Sequence, residues 1–554
     1  MAGGPRASRP EDGRASEPAA GSSPSQRRLA GLDGVDLAIF VAFAALGLAA
    51  LAGMIVRVVG QGGVFTGADS YVAVDQLQYL GWIRQGADHV AIENLYDLSE
   101  SSRSFVHPGA LLSGLLHRAG LGLVASFQVL KLLAIPLLFG ATLAYVRRFL
   151  ADPGDRRLAL VVALFGVSPL AALFGWGGLG SGKQRLQLDF LAGEIWTGHY
   201  LWGYMFTAVA VALLPLGLLA YERGRAGGTT AMLAAAGGAG LLCSWLQPWQ
   251  GATFALVIAG AEAFGTRSTL TPMSIRAVAR DLGPVLAATA APLFYYLILS
   301  QTDEAWELAG QANESGGWPL WIMVAGLAPL AVPALLAYRD VPRDFGSVCL
   351  RLWPLASLAV FYLPFGTFPA HAVQGLAIPL SVLAALALRD RLEARPLSAV
   401  VAVAVVAVLV VPGLAYRVDQ LRGAVNEGLQ PFFLEPAEHD ALRYIEGAPE
   451  RGGVLTTVFS GQAVPAYTGR ATWLGASSWT PDFRARRLAA ERLFSGGLEP
   501  RQAERLVRRS GARFVYSDCR GHPDISRALA GVAGPPRRFG CALVFTVRSA
   551  PGAG

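Results

Sequence analysis

The chain has 554 residues, of which 53% are hydrophobic and 15% charged, and its mean hydropathy is +0.43. Soluble domains carry about 25% charged residues, so this composition excludes an ordinary soluble protein and points to an integral membrane protein. The net charge of +7 rests on arginines spaced in short clusters between apolar runs, Lys131 and Lys183 being the two lysines, a pattern that excludes a nucleic-acid patch.

Residues 1–30 are rich in Pro, Ser, Gly, Ala and Arg and predict a disordered cytoplasmic tail. The run 36–59 is too long for a signal-peptide core and lacks a clear cleavage site, so it reads as a retained first span. Further runs long enough to cross a bilayer, about 20 residues, lie near 122–146, 157–175, 201–221, 230–246, 248–264, 281–300, 318–338, 350–368, 372–388 and 397–416. Positive charge near span ends marks the cytoplasmic side. With about eleven spans, Arg27/Arg28, Arg147/Arg148/Arg156/Arg157, Arg223/Arg225, Arg267/Arg276/Arg280, Arg339/Arg343/Arg351 and Arg389/Arg391/Arg395 all fall inside. That fit requires 107–120 not to cross, and its length suits a helix lying at the outer interface. The expected fold class is a mainly α polytopic membrane protein. A tail of 1–30 precedes a transmembrane domain of 31–418, whose outer loop is 61–121, and a small extracytoplasmic α/β domain of 419–554 follows.

The outer loops gather polar groups. The first, containing "GADSYVAVDQLQYLGWIRQ", carries Asp69, Asp75, Arg84, Glu93, Asp97, Glu100, Arg103 and His107. The second carries Lys183, Arg185, Asp189, Glu194 and His199; the third Asp303, Glu304 and Glu307; a later turn His371. For any single acid in these loops, solvated surface is the favoured reading. Lys131, near the outer end of the second span, is either a snorkelling lysine or a partner for an anion such as a lipid phosphate. "GGLGSGKQ" nearly matches a phosphate-binding loop, but Gln184 replaces the metal-binding hydroxyl and the stretch follows a span rather than a strand, which argues against an ATPase. The outward histidines show no metal-ligand spacing, although the outer carboxylates leave a divalent cation possible.

From about 436 the texture becomes that of a soluble α/β unit. "AEHDALRYIEG" predicts a helix, "GGVLTTV" and "RATWLG" strands, and "PDFRARRLAAERLFSG" and "PRQAERLVRRSG" helices. "ARFVYSD" and "CALVFTVR" predict strands with "DISRALAG" a helix between them. Arg484, Arg486 and Arg487 read as a solvated helix face. Cys519 and Cys541 either pair, if the unit is exported, or stay free thiols. The intervening 461–486 places Tyr467, Arg470, Trp473, Trp479 and Asp482 around Pro and Gly turns, aromatic rings with polar edges that suit sugar binding or packing on the membrane body. With the outward His107 and His199, the residues Tyr467, Trp479 and Asp482 are candidate substrate-binding groups.

"DQLQYLGWIRQGADHVAIENLYD", "FVHPGALLSGLLHRAGLGLVASFQVLKLL" and "VPAYTGRATWLGASSWTPDFRARR" give the chain from about residue 36 onward a resemblance to bacterial GT-C type glycosyltransferases. These are multi-span enzymes that use polyprenyl-phosphate-linked sugars at the outer membrane face. The resemblance implies that a first-loop acid, Asp75 or Asp69, acts as general base. Many members place a second acid beside the first, where this chain has Ser70 and Gln76. Lys131, Arg84 or the Lys183/Arg185 pair would bind the donor phosphate, and the acceptor is a glycan, lipid or protein hydroxyl. A transporter or lipid-linked glycan flippase, a polymer ligase and a membrane scaffold with an exported sensor domain are the competing expectations. The scarcity of intramembrane acids and of paired repeats speaks against transport.

Overall fold

The computed structural model describes residues 32–69, 73–99, 101–227, 230–266, 272–314, 318–339, 344–363, 368–394, 399–426 and 432–548. The expected tail, Ser70, Glu100, Arg267, Arg343 and Arg395 lie outside the described residues, as do the side chains of Arg276 and Arg391.

The chain begins with α1 (Gly34–Gly60), a short strand β1 (Val64–Phe65), α2 (Ala73–Gly86), α3 (Pro108–Arg118) and α4 (Leu123–Phe149). It continues through α5 (Pro153–Phe165), α6 (Pro169–Gly177), α7 (Gly182–Ile195), α8 (Met205–Arg225), α9 (Thr230–Leu246) and α10 (Pro248–Thr266). Next come α11 (Pro272–Thr302), α12 (Glu304–Ala312), α13 (Leu320–Leu335), α14 (Phe345–Tyr362), α15 (Ala377–Ala394) and α16 (Ala399–Asn426). Each of the eleven expected spans contains α-helix among the described residues, although 157–175 is broken between α5 and α6. Eight helical stretches among the described residues are long and apolar enough to cross a membrane, Pro153–Gly177 (α5 with α6) counting as one of them, while Thr230–Leu246 and Ala377–Arg389 are shorter apolar helices. α16 runs through residue 418 without a break, so the expected domain boundary falls inside a helix.

The arginine clusters meet at one end of this helical body. Buried Asp36 of α1 takes Arg147 at 2.7 Å and Arg156 at 3.3 Å. Arg148 bridges Glu222 at 2.7 Å and Asp344 at 3.0 Å, and Arg225 meets Glu262 at 2.8 Å. α1 runs from this cluster to the opposite end, where β1 pairs with β2 (Phe433–Leu434) in antiparallel register, Val64 opposite Leu434.

The interfacial helix expected at 107–120 is α3. One side packs on α2 so closely that a Cβ on Gly114 would stand 2.4 Å from the Gly86 carbonyl carbon. On the other side Leu112 and Leu115 are 50% and 60% exposed, the apolar face an interfacial helix turns to lipid.

The C-terminal unit adds α17 (Pro436–Gly447), β3 (Val454–Leu455), α18 (Val458–Thr468), α19 (Phe483–Phe494), α20 (Pro500–Ser510), β4 (Phe514–Ser517), α21 (Ser526–Leu529), β5 (Arg537–Phe539) and β6 (Ala542–Thr546). Its sheet runs β3-β4-β6-β5, with β3 parallel to β4 and the other pairs antiparallel. Two local expectations are corrected. "RATWLG" contributes a single bridge, Thr472 to Val454, rather than a strand. Val458–Thr468 is a helix despite Pro465, because Thr457 caps it by accepting from Ser460 N–H and Gly469 ends it in the left-handed region at φ 67°. Cys519 and Cys541 form a disulfide.

Candidate active site

Asp75 sits in the first turn of α2, and three close approaches fix that helix. Gly86 abuts α3, a Cβ on Gly81 would lie 3.3 Å from Pro465 of α18, and a Cβ on Gly203 (φ 89°) would lie 2.2 Å from the Gln76 amide carbon. Side chains at both glycines that touch α2 from outside, Gly114 and Gly203, would push it from its seat. Asp75 is half-buried and its Oδ2 accepts from the Tyr204 hydroxyl at 3.2 Å. It has no ion pair among the described residues. Burial raises its carboxyl above the usual range, partly offset by the Tyr204 hydrogen bond and by the nearby His371.

Glu194 and His371, close enough to act electrostatically on Asp75, come from α7 and the 3₁₀ turn Pro369–Val373, with the 3₁₀ turn Thr197–Leu201 beside them. We call this neighbourhood the Asp75 chamber. Glu194 faces His371 Nδ1 at 3.3 Å and accepts from Gln374 Nε2 at 2.7 Å. Burial pushes the Glu194 carboxyl up, but His371, His199 and Gln374 together hold it below the usual range. His199 stacks on Tyr204 with ring centroids 5.3 Å apart, and burial pushes its imidazole down to about 4, so it is neutral at pH 7. Tyr200 donates to the Glu194 carbonyl and accepts from Gly375 N–H at 3.1 Å, which ties the two 3₁₀ turns together. The chamber therefore holds one carboxylate without a cation partner, Asp75, opposite an acid-imidazole pair.

The other residues singled out from the sequence are distributed as follows. Asp69 and Lys131 form an ion pair, each 0% exposed, and Lys131 also reaches the Gly47 carbonyl at 3.5 Å. Arg84 binds Glu446 of α17 and the Ala466 carbonyl, joining α2 to the C-terminal unit. Arg185 donates to the Gly178 and Gly180 carbonyls at 2.9 and 2.7 Å, closing the end of α6. Lys183 is exposed. It lies 11 residues before Glu194 on α7, hence about 16 Å along the helix axis. His107 caps α3 by accepting from Ala110 N–H at 3.1 Å, and burial lowers its imidazole to about 4. Tyr467 reaches the Phe65 carbonyl at 3.4 Å. Trp479 stacks edge-to-face with Trp82 and Trp306, whereas Asp482 is an exposed left-handed residue (φ 46°) opening α19. Arg486 is not part of a solvated face: it pairs with Asp97 at 2.6 Å and covers the Trp473 ring.

Tyr204 and Gln374 were not apparent from sequence. Tyr204 sits among the aromatics of "GHYLWGY" as an ordinary interfacial residue, and Gln374 is an isolated amide after an apolar turn. Their roles come from contacts between segments 129 and 180 residues apart. Among the described residues no group of three or more His, Cys, Asp or Glu is placed to hold a metal ion. The side chains around Asp75 therefore do not fit a divalent-cation site.

No protein-family profile matches the chain, and no curated protein sequence does. Solved structures do. The oligosaccharyltransferase of Archaeoglobus fulgidus tethered to an acceptor peptide aligns over 93% of this chain and 74% of its own, at 14% identity and a TM-score of 0.52. The chain has the GT-C fold. At that identity the likeness concerns the fold, a helical membrane body topped by a C-terminal unit. The same archaeal enzyme in its apo form matches the GT-C body with a TM-score of 0.50, over 93% of this chain and 75% of its own at 14% identity. ArnT from Cupriavidus metallidurans, bound to undecaprenyl phosphate, aligns over 93% of this chain and 98% of its own, at 14% identity and a TM-score of 0.47.

Proposed function

We propose that this protein is a glycosyltransferase that moves a sugar from a polyprenyl-phosphate-linked donor to an acceptor hydroxyl at the outer face of the cytoplasmic membrane. Asp75 is the general base. The acceptor O–H gives its proton to Asp75 as its oxygen attacks the anomeric carbon, the bond to the phosphate oxygen breaks, and polyprenyl phosphate leaves with the electron pair. Attack opposite the leaving group inverts the sugar. The observation that carries this reading is Asp75 itself, an acid on a rigid helix, half-buried, with a phenol rather than a cation as its partner. Asp69, the alternative base, has its charge taken by Lys131 in a fully buried pair.

The same placements redistribute the donor phosphate. Lys131, Arg84 and Arg185 are engaged elsewhere, and Lys183 is remote from Glu194. His371 then meets the developing phosphate charge beside Asp75, with Lys183 contacting lipid headgroups. The outward orientation of this end is supported by the arginine clusters at the opposite end and by a disulfide in the C-terminal unit. Nucleotide sugars are made in the cytoplasm, so a lipid-linked donor suits the outer compartment.

The test is transfer by the full-length protein in lipid nanodiscs, measured as release of polyprenyl phosphate from a panel of lipid-linked sugars with cell-envelope acceptor. Asp75→Asn should lower kcat by about 10²–10⁴. Full activity in that variant, or movement of intact lipid-linked glycan without release, refutes the proposal.

A further inference from the structure

A groove separate from the Asp75 chamber runs between α2, the 92–105 segment, the start of α12 and the C-terminal unit. It is a shallow, partly open groove, with about 420 Å³ of space once the open solvent at its mouth is included. Trp82, Trp306 and Trp479 line it, each half-buried, so each keeps ring surface open. Trp479 meets Trp82 at an interplanar angle of 89° and Trp306 at 88°, with centroids 6.1 and 5.4 Å apart, which fixes the rings relative to one another. Asn94 holds the Trp479 carbonyl at 2.8 Å, so the third ring is seated by the first loop as well as by its own segment.

The polar groups are equally telling. Gln78 lines the groove, is 7% exposed as a residue and makes no side-chain hydrogen bond among the described residues, so its amide is available to a molecule in the groove. Two carboxylates stand in the wall, Asp303 and Glu93, and among the described residues no lysine or arginine lines it. Glu93 is matched by Arg103 at 2.7 Å. Asp303 is held by Ser102 and Ser104 hydroxyls and by the N–H groups opening α12, without a cation.

The groove and Asp75 share α2. Asp75, Gln78 and Trp82 are spaced i, i+3 and i+7, one helix face, spanning about 10 Å along the axis. Tyr96, another lining residue, feels the charge of Asp75.

We infer that this groove binds the acceptor, and that the acceptor is a neutral saccharide chain. Indole faces pack against the C–H faces of sugar rings, Gln78 supplies the directional hydrogen bond, and the acid wall repels uronic or phosphorylated sugars. The assignment of the occupant as acceptor rests on the glycosyl-transfer reading; the binding preference does not.

Saturation-transfer NMR on the full-length protein in nanodiscs, with maltotriose, tri-N-acetylchitotriose and trigalacturonic acid as probes, tests it. The two neutral trisaccharides should bind, with trigalacturonic acid weaker by at least about tenfold. Trp306→Ala and Trp479→Ala should each weaken the neutral probes by at least about tenfold, while Trp306→Phe, which keeps a ring, stays within about threefold and shows that the fold is intact. No binding by any trisaccharide, equal binding of all three, or neutral binding unchanged in both alanine variants overturns the inference. The two readings fail separately. Transfer that depends on Asp75 with no trisaccharide bound removes the groove alone; trisaccharide binding with transfer indifferent to Asp75 removes the catalytic assignment alone.

Discussion

The Asp69–Lys131 pair gives the most decisive mutational test. Both side chains are 0% exposed, so replacing Lys131 by Met leaves a carboxylate in an apolar interior with no counter-charge. Removing one partner of a buried pair costs about 3–5 kcal/mol, whereas replacing both by uncharged groups is often close to neutral. Lys131→Met and Asp69→Asn should each destabilise by about 3–5 kcal/mol. Simple addition then predicts a loss of about 6–10 kcal/mol for the double variant, but the pair predicts a loss below about 2 kcal/mol. Reversible unfolding in mixed micelles, followed by intrinsic fluorescence and SDS titration, reads all four corners of the cycle. Transfer activity is measured on the same samples. If the pair is a structural clamp, the double variant recovers both stability and turnover. Additive losses would refute the coupling, and a stable but inactive double variant would return Lys131 to the phosphate.

Further expectations concern pH and cross-links. Because burial raises the Asp75 carboxyl, kcat/KM should rise with pH through a limb lying above the usual aspartate value of about 3.9, and Asp75→Asn should abolish that limb. The same raised group favours the folded state only where it is protonated, so ionising it at neutral pH costs stability; the Asn variant should melt higher than the parent at pH 8 and lose that advantage in acid. His107 and His199 have the opposite sign. Their folded values of about 4 lie below the unfolded value, so stability should fall as pH drops from about 6.5 towards 4, seen as a falling melting temperature. Reducing Cys519–Cys541, which are separated by 22 residues, should cost the C-terminal unit about 3 kcal/mol, read by limited proteolysis with and without reductant. Arg84→Ala removes a partly exposed pair with Glu446 and should change stability by no more than about 1 kcal/mol, leaving donor KM unaltered.

The helical body was legible because span length and arginine placement are one-dimensional signals: among the described residues each apolar run contains a helix, and Arg147, Arg148, Arg156 and Arg225 meet acids at one end. The helix α3 was legible as a separate short element from its length. The acid on α2 could be found, but choosing between Asp69 and Asp75 required knowing that Lys131, 62 residues onward, reaches the first and not the second. Arg486 was misread for the same reason, since its partner Asp97 lies 389 residues away, and the contact of Arg84 with Glu446, 362 residues on, was equally hidden. The helix Val458–Thr468 was hidden by a proline that its cap and packing against α2 outweigh. Charges advertise themselves in a sequence; the contacts that use them up do not.

The pairing of β1 with β2 has a consequence for how the protein is made. Thr66 donates its hydroxyl to the Phe432 carbonyl, 366 residues downstream, immediately before the loop that carries Asp75. At roughly 5–20 residues per second, synthesis of that interval takes about 20–70 s. Through that time the later helices are made one after another while the corner that leads into α2 lacks its anchoring strand. The nascent chain is thus a helical body whose corner beside α2 stays unfinished until Phe432 has emerged and folded back, and a ribosome that stalls or a message that ends early leaves β1 without its partner strand.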